Sequence, residues 1–166
     1  MGFSAARRWI GCLTAVLTIG AGAAYGDATC AIDKIDLQGS WGKAQFTIEV
    51  ADDAQERGVG LMNRPSMARS AGMLFIYEEV SDVAFWMENT LIPLDMLFID
   101  ETGVITDIHE NAIPLDRTTI PADFPVLGVL EINGGLSAQL GINVGTKVRH
   151  GAFDPATAAW PCESAN

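Results

Sequence analysis

Positive charge is scarce in this sequence: 10 lysines and arginines stand against 21 aspartates and glutamates in 166 residues, a formal net charge of −11 at pH 7. Binding nucleic acid by neutralising phosphates needs the opposite balance, so nucleic acid is excluded as a primary partner and anionic membrane surfaces are disfavoured. Cysteine is also scarce. Cys12, Cys30 and Cys162 are too few for a disulfide-rich mini-domain and lack zinc-ligand spacing. No run of 18 or more apolar residues follows position 26, which excludes a polytopic helical membrane protein. The chain has no Gly-x-Ser-x-Gly elbow, no His-Glu-x-x-His pair and no phosphate-cradling glycine loop, and nothing in it calls for a cofactor. What is present, 49% apolar and 8% aromatic residues without repeats or low-complexity stretches, is the composition of one globular domain.

The first 26 residues read as an address. Arg7 and Arg8 precede an apolar run of small residues from Trp9 to Ala24, and Ala24-Tyr25-Gly26 places small residues at the −3 and −1 positions of a cleavage site. A cut after Ala23 is the alternative site, and an uncleaved anchor the alternative fate, although Gly11, Gly20 and Gly22 weaken a spanning helix. The expected location is periplasmic or secreted. Removing this segment takes away two arginines and leaves eight basic residues against the same 21 acids, a charge of −13. It also takes away Cys12, so an odd count becomes the pair Cys30 and Cys162. In an oxidising compartment that pair reads as one disulfide, the alternative being two free thiols in polar tails.

The remainder divides into a lead-in over 27–43, a single β-rich domain over 44–150 and a tail over 151–166. Ala44 to Val50 alternates as a strand. Asp52-Asp53-Ala54-Gln55 has a capping-box pattern that starts a short helix from Asp53 to about Met62, which Asn63-Arg64-Pro65 ends. Met73–Tyr77 and Val83–Met87 are apolar on both faces and are expected deep in a sheet, separated by a turn over Glu78–Asp82. Asp95–Ile99 and Val104–Glu110 flank a hairpin turn with Gly103 placed for positive φ. Residues 111–125 form a long loop, Val126–Ile132 a strand, Leu136–Leu140 a helical turn closed by Gly141, and Thr146–His150 a last strand. These elements predict a mostly β, β-rich α+β fold: a small, mostly antiparallel barrel or sandwich with one or two short helices.

The densest motif runs from Phe85 to Asp95, Phe-Trp-Met-Glu-Asn-Thr-Leu-Ile-Pro-Leu-Asp. Taken with Arg57–Arg64, Gly72–Phe75, Phe98–Asp100, Leu130–Gly135 and Gly141–Gly145, it closely resembles the family known as domain of unknown function 192, over roughly Phe46 to Val148. The resemblance implies a small β-rich domain, frequently exported, with no established activity. Glu88 stands where that family usually has a lysine, which removes a cation beside the motif and with it any anion-binding role for that cation.

The residues themselves offer three chemistries. Trp86 shares a strand face with Ala84 and Glu88 opposite the core, Asn89 follows it, and Asp95 and Glu131 are carboxylates on apolar faces that need partners. Arg57 and Arg64 are the nearby cations, and pairing of Arg64 with Asp95 or Glu131 is the purely structural reading. Arg64, Trp86, Asn89, Asp95 and Glu131 lining one pocket would bind a small polar ligand such as a sugar or glycan, as a binding or interaction module. Alternatively Asp95 and Glu131 act as paired acid and base in a hydrolase. A third reading takes Met62, Met67, Met73, Met87, Met96 and His109 as a copper(I) site, although no Met-x-Met or Met-x-x-Met spacing occurs and three of these lie in apolar strands.

Overall fold

The computed structural model describes residues 30–163, together with the first two. The rest of the expected signal segment, its expected cleavage sites and Cys12 lie outside the described residues. The elements are β1 (Lys34–Gly39), β2 (Gly42–Ala51), α1 (Ala54–Val59), β3 (Ala71–Ser81), β4 (Ala84–Phe85), β5 (Leu94–Ile99), β6 (Ile105–Ala112), β7 (Ile120–Pro121), β8 (Val126–Asn133), α2 (Leu136–Leu140) and β9 (Lys147–Arg149).

Seven strands form one sheet in the order β6-β5-β8-β3-β2-β1-β9. Every neighbouring pair is antiparallel except β2–β3, which runs parallel because α1 carries the chain back between them. The sheet curls into a half-barrel. Its edges meet where Val104 bridges Lys147 and the Ile105 N–H donates to the Thr146 carbonyl at 2.9 Å. Curling gives the sheet two apolar faces, each with its own core. Leu37, Ile48, Leu74, Leu97, Leu130 and Val148 fill the concave side. Met73, Phe75, Met96, Phe98 and Val129 fill the other, beneath Leu61, Met87 and the small β4–β7 sheet. Burial on both faces is why β5 is apolar at nearly every position and wholly buried.

The Asp100–Gly103 turn forms as expected, with Gly103 at φ 73° and the Asp100 carboxylate accepting from the Thr102 and Val104 amides at 2.9 and 3.0 Å. Gly141 closes α2 at φ 79°. Elsewhere the structure differs from the sequence reading. β1 lies inside the lead-in, where Ile35 and Leu37 are buried by alternation too short to stand out among polar neighbours. The helix cap sits one residue later, Asp53 accepting from the Glu56 amide at 2.7 Å. β3 continues through the acidic stretch to Ser81 by way of a register shift. Only Ala84–Phe85 of the next segment is a strand, and it pairs with β7 outside the main sheet, so Trp86 is 47% exposed. Cys30 and Cys162 are bonded, their Cα atoms 5.7 Å apart.

Candidate functional site

A cavity of about 210 Å3 lies beneath α1, between the Gly58–Met62 backbone, β3 and β4. Period-two alternation brings Phe75 and Tyr77 of β3 to the sheet face that carries Glu131 of β8, and all three line the space with Phe85, Trp86 and Thr90. The Phe75 and Phe85 rings meet edge to face at 5.1 Å. Gly60 lets the roof approach: it sits at φ 48°, and a Cβ there would lie 3.1 Å from the Phe75 ring. Arg57 pins α1 from the mouth, its guanidinium donating to the Asp52 and Ile76 carbonyls at 2.6 and 2.8 Å and lying 5.0 Å from the Tyr77 ring.

Glu131 forms the floor. It is 4% exposed, and burial rather than any hydrogen bond governs its carboxyl; among the described residues no buried side-chain oxygen is left enclosed without a partner, so the carboxyl opens onto the cavity. Burial pushes its pKa up to about 8, so at neutral pH it is a protonated acid that can donate one hydrogen bond and accept another. Burial also raises the Tyr77 phenol, with Arg57 opposing the rise.

Of the five residues expected to line one pocket, Trp86 and Glu131 meet here and three do not. Arg64 pairs in a two-pronged contact with Glu49 of β2, rather than with Asp95 or Glu131, and lines a separate hollow of about 260 Å3 on the far side of α1. Asn89 takes φ 54° in a turn whose carbonyl accepts from the Asn63 amide at 2.8 Å, tying two loops together. Asp95 faces the concave core. In the β5–β8 register it stands opposite Ile132, while Glu131 stands opposite Met96, so the two carboxylates project from opposite faces of the sheet. Acid and base therefore do not share a site. Asp95 instead accepts from the Asn111, Gly135 and Ser137 amides at 2.7, 2.7 and 2.8 Å and from the Ser137 hydroxyl, which anchors the start of α2. Met73, Met87 and Met96 are core residues of the outer face. Among the described residues no three His, Cys, Asp or Glu groups converge as metal ligands.

Arg57 and Tyr77 join the cavity without having been expected in it. The β3 alternation of Met73, Phe75 and Tyr77 was the available signal, but the side of the sheet on which α1 lands is a tertiary choice. A roomier cleft of about 620 Å3 runs beside β6, past Asp107, His109 and Asp116, but it has no buried polar side chain at its base.

Residues 36–150 match the model of the DUF192 family, described as uncharacterized ACR. Two solved structures are similar. One is a protein of unknown function from Novosphingobium aromaticivorans DSM 12444, 42% identical over 69% of this chain and 82% of that one, with a TM-score of 0.68. The other is a putative transcription regulator from Sinorhizobium meliloti 1021, 40% identical over 77% of this chain and 100% of that one, with a TM-score of 0.71. No curated protein matches the chain.

Proposed function

The chain belongs to the DUF192 family, and from that premise we propose that it is an exported binding module that takes a small polar ligand into the cavity beneath α1. One observation carries the reading: Glu131 is a buried carboxyl without a protein partner that opens onto a space walled by aromatic rings. A carboxyl so far removed from bulk water, reached only from the cavity, gains from a ligand that hydrogen-bonds it there. Trp86 at the rim extends the apolar wall outward. Its ring lies 5.7 Å from the Arg117 guanidinium, which also pairs with Glu88. The volume equals roughly seven waters' share of liquid, the scale of a small metabolite or a single sugar ring.

Export fits the Cys30–Cys162 bond, which persists in an oxidising compartment. The transcriptional role named for the Sinorhizobium relative is not carried over, because a net charge of −11 repels DNA. Thermal-shift and calorimetric titration against sugars, amino acids and amines tests the reading. A ligand of this kind is expected to raise the melting temperature, and Trp86→Ala to weaken it about tenfold. Flat titrations across all three classes overturn the reading.

A further inference from the structure

Resting on the reading that the cavity beneath α1 takes a small polar ligand, we propose that this ligand is a small zwitterion: an ammonium seats against Glu131 among the rings, and an anionic group is held at the mouth by Arg57. The cavity is lined by one carboxyl and one guanidinium that do not pair with each other. Arg57 is held by the Asp52 and Ile76 carbonyls through a single nitrogen, which leaves the rest of its fork for a carboxylate or similar anion. No hydrogen bond from the described residues acts on Glu131, whose carboxyl opens onto the cavity. A guanidinium and a carboxyl that a cation can ionise, sharing about 210 Å3 without pairing, fit a molecule whose own charges are a few bonds apart.

The remaining lining favours the same class. Thr90 donates its hydroxyl to the Glu88 carbonyl at 3.3 Å and can only accept from a ligand, so the side-chain polar groups left are few: the Glu131 carboxyl, the Arg57 fork, the Tyr77 phenol, the Thr90 oxygen and the Trp86 indole N–H at the rim. A sugar would bring several hydroxyls out of water, and this cavity cannot answer most of them. An ammonium gathers its polarity into one charge, which aromatic rings and a carboxylate satisfy together.

Seating a cation on Glu131 ionises it: the carboxylic acid gives its proton to the buffer and the resulting carboxylate pairs with the ammonium. The charged and titratable groups around it are Arg57 from α1, Tyr77 from β3 and, two strands away on the same face, His109 of β6 on one side and Glu49 of β2, paired with Arg64, on the other. Because the Glu131 carboxyl titrates near 8, affinity should rise about tenfold per pH unit from pH 5 to 7 and level off above 8.

The test is isothermal titration of the purified protein with glycine, glycine betaine, methylamine and glucose, in buffers of different ionisation enthalpy. The expected result is binding of a zwitterion with release of close to one proton below pH 7. In Glu131→Gln that proton release should vanish and the affinity fall at least tenfold, while Arg64→Ala, outside the cavity, should leave both unchanged. Arg57→Ala, which also loosens the roof, should weaken the zwitterions at least tenfold more than it weakens methylamine. Glucose binding in place of the zwitterions overturns this inference and leaves the small-ligand reading standing. Zwitterion binding without proton release, or unaffected by Glu131→Gln, also overturns it. If none of the four binds, the inference falls, and only a ligand found in the wider screen keeps the reading.

Discussion

Folding takes the Glu131 carboxyl out of water and supplies no partner, so the native state holds its proton up to about pH 8 while the unfolded chain releases it near 4.5. Between those values the native state binds more protons than the unfolded one, and stability falls as pH rises. Below 4.5 the group has no effect, and above 8 its full penalty applies. Glu131→Gln keeps the shape and removes the charge. At pH 7 it should therefore be more stable than the native sequence by roughly 3 kcal/mol, at about 1.4 kcal/mol for each pH unit above 4.5, with no difference near pH 4. Urea unfolding of both proteins across that range measures the effect; a constant difference would show that the carboxyl finds a partner in solution. Asp95 is the contrasting case. Also buried, it accepts three backbone amides and a hydroxyl, and it belongs to the architecture rather than to the cavity.

At the scale of elements, α2 depends on that contact. Its N-cap is Gly135, which has no side chain to satisfy the first-turn amides, and Asp95 supplies the missing acceptors from a neighbouring strand. Asp95→Asn replaces one acceptor oxygen with a donor that faces amides, and should cost about 3 kcal/mol. Urea unfolding should show a lowered midpoint with an unchanged slope. α1 is different again. None of its six residues is buried, so it sits over the cavity as a roof held by the Asp53 cap, the Arg57 contacts and the approach of Gly60 to Phe75. A short helix without a buried face owes its persistence to such contacts rather than to its own propensity.

At the scale of the whole molecule, the Cys30–Cys162 bond closes a loop of 132 residues around nearly the entire described domain. Chain-entropy reasoning assigns such a closure about 5 kcal/mol through the unfolded state. Reduction should lower the melting temperature markedly while native circular dichroism at 25 °C stays the same, since neither cysteine belongs to the seven-stranded sheet or to either core. Loss of the fold on reduction would show that the β1–β9 edge is held by the bond rather than by pairing.

Much of this architecture was legible in the order of residues, because it depends on local rules. The Asp100–Gly103 turn follows from turn chemistry, α2 from its closing glycine, β3 from an apolar run too dense for one exposed face, and the family from motifs spaced along the chain, whereas the same density over Val83–Met87 misled because that segment packs outside the main sheet. The site was legible only in part. A strand's alternation states which residues share a face, so Asp95 with Leu97 and Glu131 with Val129 were readable, but the pairing register decides which faces of different strands coincide. That register sends Asp95 and Glu131 to opposite sides. Arg64 found Glu49 rather than either of them because β2 runs parallel to β3 beneath the start of the loop after α1. Sequence by itself determined that this is a small, acidic β-rich domain with carboxylates that need partners. Only the tertiary structure decided which carboxylate found them, because partners are supplied by chain segments tens of residues away.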